Sequence, residues 1–163
     1  LFSPDDVEKY RKELNIKEHN DSTIKEDFFE FLEERDYSLS YKLPFLLAIL
    51  KHIDSIGDAK IEEVLDDYIA FYQDRLSRGL QVDRSTCPYD EKMLKDRKAV
   101  QRNMLTNPFE KFERKRFLYY SKDLSVISMN HALFEKMKEE DWERVRRQMR
   151  EDLRKYYDGM GGV

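Results

Sequence analysis

The stretch SYKLPFLLAILKHI, residues 40–53, decides the fold. Behind Ser40, the side chains of Leu43, Leu46, Leu47, Leu50 and Ile53 recur at helical spacing, and Ala48 and Ile49 widen the apolar stripe round most of the helix. A helix apolar on most sides belongs at the centre of a core. Its apolar run from Leu43 to Leu50 is about half a membrane span and contains Pro44, so no segment is read as crossing a bilayer, and no membrane is expected as a partner.

Working outward, Ser3-Pro4-Asp5-Asp6 supplies an N-cap, a proline at the first helical position and two acids for the first turn, which predicts a helix from Pro4 to about Leu14. Asp21 or Ser22 caps a second helix with Ile24, Phe28, Phe31 and Leu32 inward and Lys25, Glu26, Glu30 and Glu33 outward, ending near Arg35. After the central helix, Gly57 acts as a stop. From Ile61, the pattern Val64, Leu65, Tyr68, Ile69, Phe71, Tyr72, Leu76 predicts a long helix that closes at Arg78-Gly79.

Leu80 to Tyr89 is aperiodic and holds Cys87-Pro88, so it reads as a loop. Asp90 starts a basic helix running to about Leu105, and Asn107-Pro108 opens a short one that turns Phe109, Phe112 and Phe117 or Leu118 inward. The period then changes. Phe117–Tyr120, the polar turn Ser121-Lys122-Asp123, and Leu124–Met129 predict a hairpin of aromatic and β-branched residues. His131–Lys138 and Glu140–Tyr157 read as two closing helices, with residues 159–163 a frayed tail. No repeat or Gly/Pro/Ser-rich linker divides the chain. The expectation is one mainly α domain over residues 1–158, a multi-helix bundle with one small β-hairpin and a winged-helix-like order of elements.

Composition agrees with a folded domain: 163 residues can bury a real core, and 10 Phe and 10 Tyr beside only 5 Gly and 4 Pro exclude low complexity. The single cysteine, Cys87, cannot form an internal disulfide or a multi-cysteine zinc site, and no charged-then-apolar leader precedes the first helix. Both point to a reducing cytoplasm. The net charge of −4 conceals a division: residues 1–70 carry 9 Lys/Arg against 18 Asp/Glu, and residues 71–163 carry 21 against 16.

Most chemical motifs fail on spacing or context. There is no G-x-x-x-x-G-K-[ST] phosphate loop, and Gly159, Gly161 and Gly162 follow no strand. Pro4 to Lys9 holds the letters of a restriction-nuclease site, but on one helix start and not on the neighbouring strands that would converge on a divalent metal. His19, His52 and His131 are dispersed, and His131 with Glu135 makes one i, i+4 pair without a third ligand. Glu62-Glu63 and Asp66-Asp67 read as the solvent side of their helix. Cys87 has no neighbouring base to make it a thiolate nucleophile. No catalytic residue and no metal ligand is assigned.

What remains is cationic. Lys92 to Arg116 holds nine basic residues against Asp96, Glu110 and Glu113, ahead of a hairpin that carries Lys122 at its tip and Tyr119 and Tyr120 among charges. A helix, a basic helix and a hairpin in this order suit a groove-binding element flanked by a wing on the phosphates. Tyrosines set between charges suit stacking on unpaired bases as well as packing. The candidate nucleic-acid-binding residues are Lys92, Lys95, Lys98, Arg102, Arg114, Lys115, Arg116, Tyr119 and Lys122.

Four strings resemble a known family: Tyr37-Ser38-Leu39-Ser40-Tyr41-Lys42-Leu43; Leu65-Asp66-Asp67-Tyr68-Ile69-Ala70-Phe71-Tyr72-Gln73-Asp74-Arg75 ahead of Gly79; Asn107-Pro108-Phe109-Glu110-Lys111-Phe112; and Met129-Asn130 with Leu133-Phe134. They are similar to the region after the two motor domains in bacterial DEAD/DEAH-type helicases related to restriction-enzyme motor subunits. The resemblance implies a C-terminal accessory domain without an active site, in cis to motor domains that use ATP and magnesium, with DNA as partner. No ATP-binding position carries over. The alternative expectation is a protein-interaction or architectural domain that docks on the motor or a partner subunit.

Overall fold

The computed structural model describes residues 21–160; the helix expected at Pro4–Leu14 lies outside them. The first described helix, α1 (residues 21–33), is already helical at Asp21, so Asp21 and Ser22 sit inside it and do not cap it. Ile24, Phe28, Phe29 and Leu32 are its buried face. It ends two residues before Arg35, whose backbone is left-handed at φ 49°. That conformation is held by the Arg35 guanidinium on the buried Asp152 carboxylate, 3.2 Å away.

α2 (Lys42–His52) is the central helix the sequence predicts, with Leu43, Phe45 and Leu46 fully buried. It packs against α3 (Ile61–Ser77) and α8 (Glu139–Asp158). α3 buries Val64, Leu65, Tyr68, Ile69 and Tyr72, the predicted stripe, and Gly79 turns the chain at φ 70°. Full burial of one large apolar side chain contributes about 1.5–3 kcal/mol, so these three helices hold a large share of the apolar stabilisation.

Between α2 and α3 lies a strand that sequence reading misses. β1 (Asp58–Lys60) pairs antiparallel with β3 (Val126–Met129), which pairs antiparallel with β2 (Leu118–Ser121), so the sheet order is β1-β3-β2. Gly57 leads into β1 at φ 89°, and a Cβ there would meet the Phe134 ring at 3.1 Å. The hairpin stands where the sequence puts it, but its second strand starts at Val126; Leu124 is in the turn and 73% exposed. The Ile61 amide donates to the Ser125 carbonyl at 3.0 Å and so joins that turn to the start of α3.

The basic helix expected from Asp90 to Leu105 is two helices, α4 (Glu91–Lys95) and α5 (Arg97–Thr106). Asp90 caps the first by accepting from the Met93 amide at 2.8 Å, and Asp96 caps the second by accepting from the Ala99 amide at 3.2 Å. A carboxylate that satisfies the free amides of a new helix start ends the one before it. α6 (Pro108–Glu113) follows, with proline in its first turn and Phe109 and Phe112 buried. α7 (His131–Lys136) is shorter than predicted, and α8 already begins at Glu139. The order of helix, basic segment and hairpin is kept, with two short helices in place of the one basic helix, ahead of the short α6 that the sequence predicts.

The loop of residues 78–90 is irregular in backbone but pinned in place. The buried Asp83 carboxylate accepts from the Ser40 amide (2.9 Å), the Ser40 hydroxyl (2.5 Å), the Arg84 amide (2.7 Å) and the Tyr156 hydroxyl (2.5 Å). Ser40 also meets the hydroxyls of Tyr72 (2.8 Å) and Tyr157 (3.1 Å). Asp83→Ala strands these donors and is expected to lower unfolding free energy by about 3 kcal/mol. Urea titration with an unchanged slope would record that loss; an unchanged midpoint would contradict it.

Candidate functional site

A groove of about 760 Å³ runs between α1 and the connection from α6 into β2. One wall is basic: Arg114, Lys115 and Arg116, with Tyr119 beside them. The opposite wall is the outer face of α1, with Asp27, Glu30 and Glu34. The i, i+3, i+7 spacing of those acids was visible in the sequence but reads as an ordinary solvated face.

The basic wall is built by a helix ending. The Phe117 amide donates to the Phe112 carbonyl (3.0 Å) and the Arg116 amide to the Glu113 carbonyl (2.9 Å), a Schellman closure of α6. That closure requires a left-handed residue, usually glycine, and here it is Arg116 at φ 64°. Asn130, which caps α7 through the Leu133 amide, donates its side-chain amide to the Arg116 carbonyl at 2.9 Å and to the Tyr119 hydroxyl at 3.3 Å. Tyr119 is thereby anchored at its hydroxyl, while the residue as a whole stays 44% exposed.

The cations differ in how free they are. Arg114 lies on the Glu110 carboxylate through Nε (3.0 Å) and Nη2, and this hydrogen-bonded guanidinium holds Glu110 below the usual carboxylate range. Lys95 pairs with Glu91 at 3.1 Å. Arg97 is spent inside the fold, reaching Glu62 (2.9 Å) and Asp66 (2.8 Å) on α3. Lys115, Arg116, Lys92, Lys98, Arg102 and Lys122 are exposed and make no ion pair among the described residues.

Of the predicted residues, the groove therefore brings together Arg114, Lys115, Arg116 and Tyr119. Lys92 and Lys95 line a separate shallow depression with Asp90 and Glu91. Lys98 and Arg102 stand one turn apart on α5, and Lys122 is in the hairpin turn.

The acids of α3 are less idle than the sequence suggests. His52 at the end of α2 lies between Glu63 (3.0 Å from Nδ1) and Asp67 (2.5 Å from Nε2), and Lys51 reaches Asp67 at 3.4 Å. His131 and Glu135 make the predicted pair at 3.0 Å. Among the described residues no group of three or more His, Cys, Asp or Glu side chains is arranged to hold a metal ion. No helix among them is long and apolar enough to cross a membrane.

Compared with protein-family models, curated proteins and solved structures, the chain matches none.

Cys87 is half-buried and accepts from the Tyr41 hydroxyl at 3.5 Å; burial pushes its thiol pKa up. Below its pKa a cysteine is the unreactive thiol. Labelling by a disulfide reagent is therefore expected to be slower than for free cysteine at pH 8, with a midpoint above the usual value of about 8.5. Labelling as fast as free cysteine would contradict the burial effect.

Proposed function

We propose that this chain is a non-catalytic accessory domain of a DNA helicase, which holds nucleic acid beside ATPase motor domains in cis. ATP and magnesium belong, in this reading, to the motor and not to this domain. The observation that supports it most is Arg116. A left-handed backbone at a non-glycine residue costs about 1–2 kcal/mol, and Arg35, in the same conformation, has Asp152 to hold it. The α6 closure accounts for the left-handed backbone but not for arginine in place of glycine, since the Arg116 guanidinium has no carboxylate partner among the described residues. A phosphate outside the chain would supply the missing partner, and the guanidinium fork matches it bidentately.

Lys115 and Arg116 bind the backbone on the rim, and the Tyr119 ring offers a face to an unpaired base. The acids Asp27, Glu30 and Glu34 repel phosphates from the depth of the groove. The rim thus favours a single strand, lying along one side, over a duplex filling the groove. Sequence preference is weak in this arrangement, because phosphates carry no base identity.

The salt dependence of binding tests the reading. Neutralising Arg114, Lys115 and Arg116 together is expected to flatten the slope of log affinity against log salt by about 1–2, because Arg114 is already half committed to Glu110. Glu30→Gln with Glu34→Gln is expected to raise affinity for a single-stranded oligonucleotide several-fold at low salt. Arg116→Gly separates fold from function: it should gain about 0.5–1 kcal/mol of stability while weakening binding. A triple variant that binds as the parent does at low salt would remove this surface from the account.

The mixed walls of the same groove support a second reading, docking of the motor or a partner subunit. Outside that groove, Ile56 and Leu124, 70% and 73% exposed at two turns bordering the sheet, are further apolar side chains a partner could cover. In that case the domain retains no nucleic acid on a filter at low salt but forms a stable complex when a motor fragment is added.

A further inference from the structure

A second groove, of about 390 Å³, lies between the C-terminal halves of α3 and α8, away from every residue assigned above. Four arginines surround it: Arg75 and Arg78 from α3, Arg150 and Arg154 from α8. Among the described residues that line it, Asp158 is the one carboxylate, and Asp74 touches Arg78 at 3.4 Å. Arg150 and Arg154 make no ion pair among the described residues, although Arg144 and Arg146, on the same helix, do. Arg75 is more telling. Its Nε donates to the Gln81 carbonyl at 2.7 Å and its guanidinium lies 3.5 Å over the Tyr157 ring, which leaves Nη2 buried with no hydrogen-bond partner.

The floor between these cations is apolar. A free phosphate would use the guanidinium groups and gain nothing from the floor. An unpaired base would need an open aromatic face, but Tyr157 is buried and covered by Arg75, and Phe71 packs edge-on against Tyr72. The surface left is aliphatic, from Leu80 and Leu153. We propose that this groove binds an acidic peptide segment of a partner protein, one that seats a leucine-like side chain on Leu80 and Leu153 and places carboxylates on Arg150, Arg154 and Arg78. Arginine forks pair bidentately with carboxylates, and an apolar anchor inside a charged rim is the usual division of labour at a small interface. This surface is independent of the nucleic-acid reading, and either can fail without the other.

The test is fluorescence polarisation on the whole chain with a labelled synthetic peptide carrying a central leucine between runs of glutamate. A second peptide has alanine for that leucine, and a labelled single-stranded oligonucleotide serves as the competing ligand. Arg150→Glu with Arg154→Glu, two exposed helix-surface changes whose fold is checked by circular dichroism, should weaken the leucine peptide at least tenfold and leave the oligonucleotide unchanged. Lys115→Glu with Arg116→Glu should do the reverse. Should the paired glutamates disturb the fold, Arg150→Gln with Arg154→Gln is expected to weaken the peptide several-fold in a folded protein. Equal binding of the leucine and alanine peptides, peptide affinity untouched by the arginine changes, or loss of oligonucleotide binding in their place would each overturn the proposal, the last by giving the groove to nucleic acid.

Discussion

Asp83 places a carboxylate in the interior, 5% exposed, where an unsatisfied charge would be ruinous, and the domain answers it with donors from three separate parts of the chain. Ser40 comes from the approach to α2, Arg84 from the loop itself and Tyr156 from the end of α8. Through Ser40 the same network reaches Tyr72 on α3 and Tyr157 on α8. These three helices of the core are thus registered against one another by polar geometry as well as by apolar contact. A second buried carboxylate, Asp152, does related work at the other end of the α1–α2 connection, accepting from Tyr37 (2.7 Å), Arg35 (3.2 Å) and Gln148 (3.3 Å). Burial, followed by the hydrogen bond to Asp152, pushes the Tyr37 phenol up, so it stays a donor at any physiological pH.

Charge on this protein is sorted by use. Arg97 fastens α5 to α3, Lys25 reaches Asp141 at 2.8 Å, and Arg144 reaches Glu33 at 2.8 Å; these cations hold elements together. Exposed pairs of this sort contribute little each, about 0–1 kcal/mol, yet they remove a cation from any external role. Counting basic residues along the chain therefore overstates the surface open to a polyanion. Lys115 and Arg116 on one groove, and Arg150 and Arg154 on the other, are among the cations that have no ion-pair partner among the described residues and also line a groove.

The helical frame was legible because α2, α3 and α8 write their buried faces at a regular period, and the hairpin because the period changes after Arg116. β1 was not legible: Asp58-Ala59-Lys60 has one buried side chain, Ala59, too little to make a pattern, and its pairing with β3 is a fact of tertiary structure. The break at Asp96 was hidden for the opposite reason, since a carboxylate inside a charged run looks like one more solvated residue until its hydrogen bond to Ala99 is seen. Of the candidate site, the cluster Arg114-Lys115-Arg116 could be read directly. The acid wall facing it could not, because nothing local in α1 tells Glu30 and Glu34 what stands across the groove. The arginine groove joins residues some seventy positions apart on two helices, each of which reads alone as merely amphipathic.

Completion of the Asp83 shell by Tyr156 has a bearing on biosynthesis. A chain emerging from the ribosome exposes Ser40, Asp83 and Tyr72 long before α8 exists, and until Tyr156 arrives, water must serve that carboxylate in its place. Closure of the interior is therefore deferred to α8, and a nascent domain stalled short of it would present its tyrosine cluster to chaperones.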